Sequence, residues 1–201
     1  MRHSPFPQDI SRRLSEVRIG VAGLGGMGSH VASALVRSGI SHLTIADFDT
    51  VDPSNLFRQC YLPSDVGRRK TEASAERLRA IEPDLDLTVF DGIVGRENAC
   101  TVFSGCDVVC ECFDRADAKA MLAESLLSGT EDVLLVSCSG MAGFGSSNDI
   151  TTSRPMRRLY VCGDRESDSS RGPGLTAARV MVCAGHAANM AMRLALGMRD
   201  P

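Results

Sequence analysis

At 201 residues the chain suits a single domain, and 43% hydrophobic with 23% charged residues is the composition of a soluble globular protein. A net charge of −3 excludes the strongly basic footprint of a nucleic-acid binder, and no apolar run reaches the length of a membrane span. The opening Met1-Arg-His-Ser-Pro-Phe-Pro7 lacks the apolar core of a secretory signal, so the expected location is the cytoplasm, with eight reduced, mostly buried cysteines and, without any Cys-x-x-Cys, no zinc site.

In chain order, Val17–Val21 reads as an apolar strand opening onto glycines, and 28–38 as a helix with apolar Val31, Ala34 and Leu35, closed by Gly39. Leu43–Ala46 is a second strand ending at Asp47, followed by a turn-rich stretch around Asp52-Pro-Ser-Asn55. A charged amphipathic helix is expected over Thr71–Ile81, then strands at Leu87–Phe90 and Asp107–Cys110 separated by a helical segment near 97–103. Ala116–Leu127 reads as a helix and Val133–Ser137 as a nearly continuous apolar strand. This strand–helix alternation, with fully apolar strands, predicts an α/β fold: a mostly parallel sheet covered by helices on both faces. The last quarter differs: a flexible loop over 139–148, a short strand at Leu159–Cys162, a polar stretch over 164–173 and a long helix over 175–196. No second domain is visible; a core is expected at about 17–138 and a C-terminal part at about 139–198.

Gly23-x-Gly25-Gly26-x-Gly28 follows a strand and opens a helix, so its backbone can approach a phosphate at a helix N-terminus, with Ser29 as an extra donor. Asp47, at the end of the second strand, suits a ribose diol in a dinucleotide or in a nucleoside triphosphate, and Asp49 lies two residues on. Asn55, Arg58, Gln59 and Lys70 separate the two: a diphosphate bridge needs little beyond glycine amides, whereas a departing pyrophosphate calls for fixed positive and amide groups. Asp114 lies at the carboxyl end of its strand, where such folds bind ligands, and a carboxylate there can hold Mg²⁺; Glu111 nearby reads as structural. Arg58, Lys70 and Asp114 are the candidate catalytic residues.

Gly23-Leu-Gly-Gly-Met-Gly-Ser29, Asp47-Phe-Asp49, Ser54-Asn-Leu-Phe-Arg-Gln59, Asp65-Val-Gly-x-x-Lys70 and Phe113-Asp114 together resemble the ThiF/MoeB/HesA family, relatives of ubiquitin-activating enzymes. The resemblance runs from about Val17 to Leu196, and further stretches (112–121, 139–145 and 159–164) are similar to short ThiF proteins. It implies a Rossmann-like domain with a C-terminal strand, loop and helix extension. The implied activity is ATP-dependent adenylation of the C-terminal glycine of a ThiS-type sulfur carrier in thiamine thiazole synthesis. Asp47 would then bind the ribose, Asn55, Arg58, Gln59 and Lys70 the phosphates, and Asp114 the Mg²⁺. The chain departs from the family pattern in lacking paired Cys-x-x-Cys motifs and in placing Ser170 where the thiamine branch has a cysteine before the final helix. Arg12 or Arg13 stands nearest to the arginine that many relatives lend to a second subunit.

A carboxylate substrate is already ionised at neutral pH, a free α-carboxyl titrating at about 3.5, so no general base is required. The loops over 140–148 and 164–174 are expected to shield the product, Arg154, Arg157 and Arg158 to form a basic cluster toward an acidic partner, and the small residues of the final helix to favour a homodimer. The motifs leave open another carboxylate (a molybdopterin-type carrier or a small acid), an NAD-dependent oxidoreductase and a silent nucleotide-binding adaptor.

Overall fold

The computed structural model describes residues 6–168, 172 and 174–201. Along the chain run α1 (Gln8–Glu16), β1 (Arg18–Ala22), α2 (Gly26–Arg37), β2 (His42–Asp47), α3 (Lys70–Ile81), β3 (Asp86–Asp91), α4 (Ala99–Val102), β4 (Val108–Glu111), α5 (Ala116–Gly129), β5 (Leu134–Cys138), β6 (Thr151–Met156), β7 (Leu159–Gly163) and α6 (Ala177–Ala195). One seven-stranded sheet has the order β3-β2-β1-β4-β5-β7-β6. All neighbouring strands are parallel except β6, which runs antiparallel to β7. The order turns outward in both directions from β1 and β4, and the crevice above their carboxyl ends is where a fold of this type takes a ligand.

Alternation along β1 shows how the two faces are filled. Ile19 and Val21 join a core built with α1, α2, α3 and α6, whereas Ala22 joins the opposite core with Phe103, Leu122 and Leu126 of α5 and its surroundings. Gly20 also faces Phe103, where a Cβ would stand only 2.6 Å from the ring. The inner strands β4 and β5 are almost wholly buried, as their apolar runs require. Helices cover the sheet on both faces, as expected, while the edge strand β3 is left open, each of its six residues being exposed or half-exposed.

Two elements carry little sequence signal. In α1 only Ile10 and Leu14, four residues apart, meet the core; the rest of the helix is polar. The strand β6 has no apolar alternation and is held by pairing to β7, with an irregularity between Ser153 and Met156 at Pro155. The small residues of α6 are also placed: Ala184, Ala187, Ala188 and Ala191 are buried against α2 and the sheet of the same chain. That close packing is intramolecular and does not speak for a second copy. Among the described residues, no helix is long and apolar enough to cross a membrane.

Candidate nucleotide-binding site

The glycine loop leaves β1 at Gly23, which has φ of +90°, and enters α2 at Gly26. Its backbone is clamped at Leu24 from both sides. The Leu24 N–H donates to Asp47 Oδ2 at 2.6 Å, and the Leu24 carbonyl accepts from the Tyr61 hydroxyl at 2.8 Å. Asp47 also takes the Asp49 N–H on Oδ1 at 2.8 Å and is itself 7% exposed. Each of its oxygens therefore keeps one lone pair for another donor, and its first task is to shape the loop. Sequence reasoning missed Tyr61: it acts across 37 residues, and no local spacing signals that.

The glycines differ in their reasons. A Cβ on Gly28 would stand 1.7 Å from the Gly23 carbonyl oxygen, so the start of α2 packs directly onto the loop. One on Gly25 would meet only the Gln59 amide nitrogen, at 3.9 Å, which marks the open side. On Gly26 it would touch the Arg58 carbonyl and Val180 at 3.4 Å. Gly28→Ala is expected to destabilise the chain by about 1–3 kcal/mol and to weaken at least about tenfold any nucleotide that binds on this loop, because the loop must shift to admit the methyl. Urea unfolding and nucleotide titration measure the two effects.

Ser29 turns inward. Its hydroxyl donates to the Gly25 carbonyl at 2.7 Å and accepts the Cys60 N–H at 3.1 Å, so the geometry commits it to holding loop and helix together rather than to a phosphate. Asn55 and Arg58 sit on a 3₁₀ turn, Pro53–Arg58, capped by the Asp52 carboxylate, which accepts the Ser54 N–H at 2.8 Å. Arg58 donates to Asn55 Oδ1 at 2.5 Å and stacks over Phe57 at 5.0 Å. Burial draws its guanidinium below the usual range, against the pull of the Asp114 carboxylate, which places these two charges in each other's field. Asp114 occupies an exposed bend between β4 and α5. Gln59 is 8% exposed, and its buried Oε1 has no hydrogen-bond partner among the described residues.

Lys70 opens α3. Its backbone N–H reaches the Asp49 carbonyl at 2.9 Å and its Nζ reaches Asp49 Oδ2 at 2.8 Å, with the Lys70 side chain 7% exposed. The loop before it is fixed by buried Asp65, which accepts from Leu62 N–H and Arg77, at 2.8 and 2.7 Å. Two helix N-termini, of α2 and α3, thus carry the glycine loop and Lys70. Glu111 is fully buried: Lys119 Nζ lies 3.0 and 3.1 Å from its oxygens, the Ser137 hydroxyl 2.6 Å and the Phe113 N–H 2.7 Å.

The two loops expected as covers are tied to each other. The Gly143 N–H donates to the Gly174 carbonyl at 2.7 Å, Ala142 bridges to Leu175, and buried Arg179 joins the Ser146 carbonyl, at 3.0 Å, to the Asp164 carboxylate. Ser170 lies outside the described residues. The expected basic cluster is not a set of free cations. Arg158 donates to the Leu127 carbonyl at the end of α5 and to the Val133 carbonyl just before β5, and Arg154 folds onto the Arg157 carbonyl and the Tyr160 ring. Arg13 is occupied too, capping α6 at the Leu196 carbonyl, whereas Arg12 is exposed beside Glu16.

The whole chain, residues 1–201, matches the ThiF family. The tRNA threonylcarbamoyladenosine dehydratase of Haemophilus influenzae is 35% identical over 119 residues, 58% of this chain and 46% of that protein. The adenylyltransferase and sulfurtransferase UBA4 of Yarrowia lipolytica is 36% identical over 117 residues, 58% of this chain and 30% of that one. The matched stretch thus spans less than half the length of either relative. Among solved structures, Escherichia coli tRNA N6-threonylcarbamoyladenosine dehydratase in complex with AMP superposes with a TM-score of 0.85 at 25% identity, covering 94% of this chain and 90% of that one.

Proposed function

The chain belongs to the ThiF family, and from that premise we propose that it adenylates a carboxylate with ATP, the C-terminal glycine of a ThiS-type, ubiquitin-like sulfur carrier, releasing pyrophosphate. The observation that carries this reading is that Gln59 and Arg58 stand against Gly25 and Gly26 at the start of α2, Asn55 bonded to Arg58, with the Asp114 carboxylate in the field of Arg58 and Lys70 held on Asp49. The relative named as an adenylyltransferase and sulfurtransferase supports it.

Each residue has a task in that reaction. Glycine-loop amides and the α2 dipole receive the inner phosphates, and the remaining lone pairs of Asp47 accept from the ribose. Lys70 exchanges Asp49 for the triphosphate, so its charge is held in place before the nucleotide arrives. Arg58 and the amides of Asn55 and Gln59 lie where negative charge builds on the leaving pyrophosphate. The orphaned Gln59 oxygen is a buried acceptor that a bound ligand would satisfy.

One exposed carboxylate, Asp114, fits a Mg²⁺ that takes its other ligands from phosphate and water, and does not by itself fit zinc, which takes four ligands. When bound there, the metal would neutralise phosphate charge. Beyond that, the chain aligns two reactants and needs no general base. The tied stretches at 139–149, 164–168 and 174–176, which follow β5 and β7, are the proposed wall on the acyl side.

A second reading keeps the chemistry and moves the carboxylate onto a tRNA nucleoside, favoured by the superposition on the dehydratase over nearly the full length of both chains. ATP–pyrophosphate exchange decides between them. Exchange that requires a carrier ending in Gly-Gly, and is lost when the last glycine is removed, establishes the first reading. Exchange or AMP release driven by tRNA alone establishes the second, and exchange with neither substrate removes both.

A further inference from the structure

We propose that Cys60 and His30 form a reactive thiol–imidazole pair, a site of oxidation by hydroperoxides on the flank of the nucleotide cleft. Cys60 Sγ lies 2.9 Å from His30 Nδ1. The other ring nitrogen, Nε2, lies 3.3 Å from the Arg58 carbonyl oxygen, which can only accept. That partner places the ring proton on Nε2 and leaves the Nδ1 lone pair facing the thiol. The imidazole is thereby oriented as a base by a third group, the arrangement that activates sulfur nucleophiles. The backbone holds sulfur in place, since the Cys60 N–H donates to Ser29 Oγ at 3.1 Å.

Access and surroundings agree with reactivity. Six of the eight cysteines are buried; only Cys60 and Cys100 are half-exposed. Cys60 opens onto a shallow cleft whose lining includes Ser33 and Arg77, side chains that can donate to an oxygen added to sulfur. Cys100 instead donates to the Ser125 carbonyl at 3.4 Å, an acceptor too weakly basic to take its proton. At rest the pair is neutral. Burial pushes the Cys60 thiol up, with Ser29 and Arg77 acting against it, and burial pulls His30 down. His30 therefore stands as the free base and takes the proton only as sulfur attacks.

The step balances with the hydroperoxide as oxidant. Sulfur attacks the terminal peroxide oxygen, a S–O bond forms and the O–O bond breaks. Sulfur loses two electrons and becomes a sulfenic acid, and the peroxide is reduced to an alcohol or to water. The thiol proton passes through His30 to the leaving oxygen. The site adjoins Gly25 through Ser29 and Arg58 through His30, yet its chemistry does not depend on the nucleotide reading.

The full chain exposed to hydrogen peroxide at pH 7, with a dimedone-type trap for sulfenic acid and site-resolved mass spectrometry, tests the proposal. Cys60 should be trapped at least about tenfold faster than Cys100, and His30→Asn should slow Cys60 by at least about tenfold while leaving Cys100 unchanged. Equal rates at the two thiols, or a Cys60 rate that His30→Asn does not move, overturn it. A substitution that loosens the fold raises both rates together, and the ratio in the unsubstituted chain then decides alone.

Discussion

Asp114→Asn is expected to lower carboxylate-dependent ATP–pyrophosphate exchange on the order of 10²- to 10³-fold while ATP affinity falls by less than about tenfold. The residue is exposed in the bend that follows β4, so the fold should lose no more than about 0.5 kcal/mol, and urea unfolding should be indistinguishable from the parent chain. Its charge acts in two ways in the proposed reaction: it offers oxygen to a phosphate-borne metal ion, and it balances Arg58, whose guanidinium burial already disfavours. Asparagine keeps the shape and an oxygen but removes the charge, so docking persists while charge neutralisation in the transition state fails. A KM increase with kcat intact would make Asp114 a binding residue only; unchanged kinetics would remove it from the site.

The central architecture was legible because buried parallel strands leave a plain trace. Runs such as Val108–Cys110 and Leu134–Val136 are apolar over both faces, and only a doubly covered sheet makes use of that. Elements held by few side chains left no such trace. In α1, Ile10 and Leu14 are the apolar contacts, and β6 depends on backbone pairing that composition does not encode. The candidate site residues stood out as residue types at a spacing, but their partners within the chain did not. That Lys70 rests on Asp49, that Asp47 clamps Leu24 and that Tyr61 completes the clamp are consequences of tertiary approach. The arginines at 154, 157 and 158 show the opposite error: adjacency suggested a free basic patch, yet carbonyls at the end of α5 and just before β5 claim Arg158. The pair Cys60–His30 is illegible in sequence for the same reason, being 30 residues apart and joined only when the loop folds over α2.

Lys119→Met is expected to lower the stability of the fold by about 3–5 kcal/mol without altering any residue proposed to face phosphate. Glu111, at the end of β4, is 0% exposed in its side chain, whereas Lys119 on α5 is 24% exposed and supplies the one cation hydrogen-bonded to the buried carboxylate among the described residues. Without it the remaining donors to Glu111 are neutral, the Ser137 hydroxyl and the Phe113 N–H. Burial already holds the Glu111 carboxyl above its ordinary value, with Lys119 and Ser137 opposing the shift. A carboxyl raised in the folded state binds its proton more tightly there than in the unfolded chain. Its favourable contribution is therefore present on the acid side and is lost as pH rises through the folded value. Losing Lys119 widens that gap, so the deficit should be larger at pH 8 than at pH 5, as urea midpoints would show. Adding Glu111→Gln removes the stranded charge while keeping an acceptor for the Phe113 N–H, and should restore most of the lost stability. A deficit equal at both pH values, with no recovery in the double variant, would make Lys119 a packing residue and not the counter-ion that holds the strand end leading to Asp114.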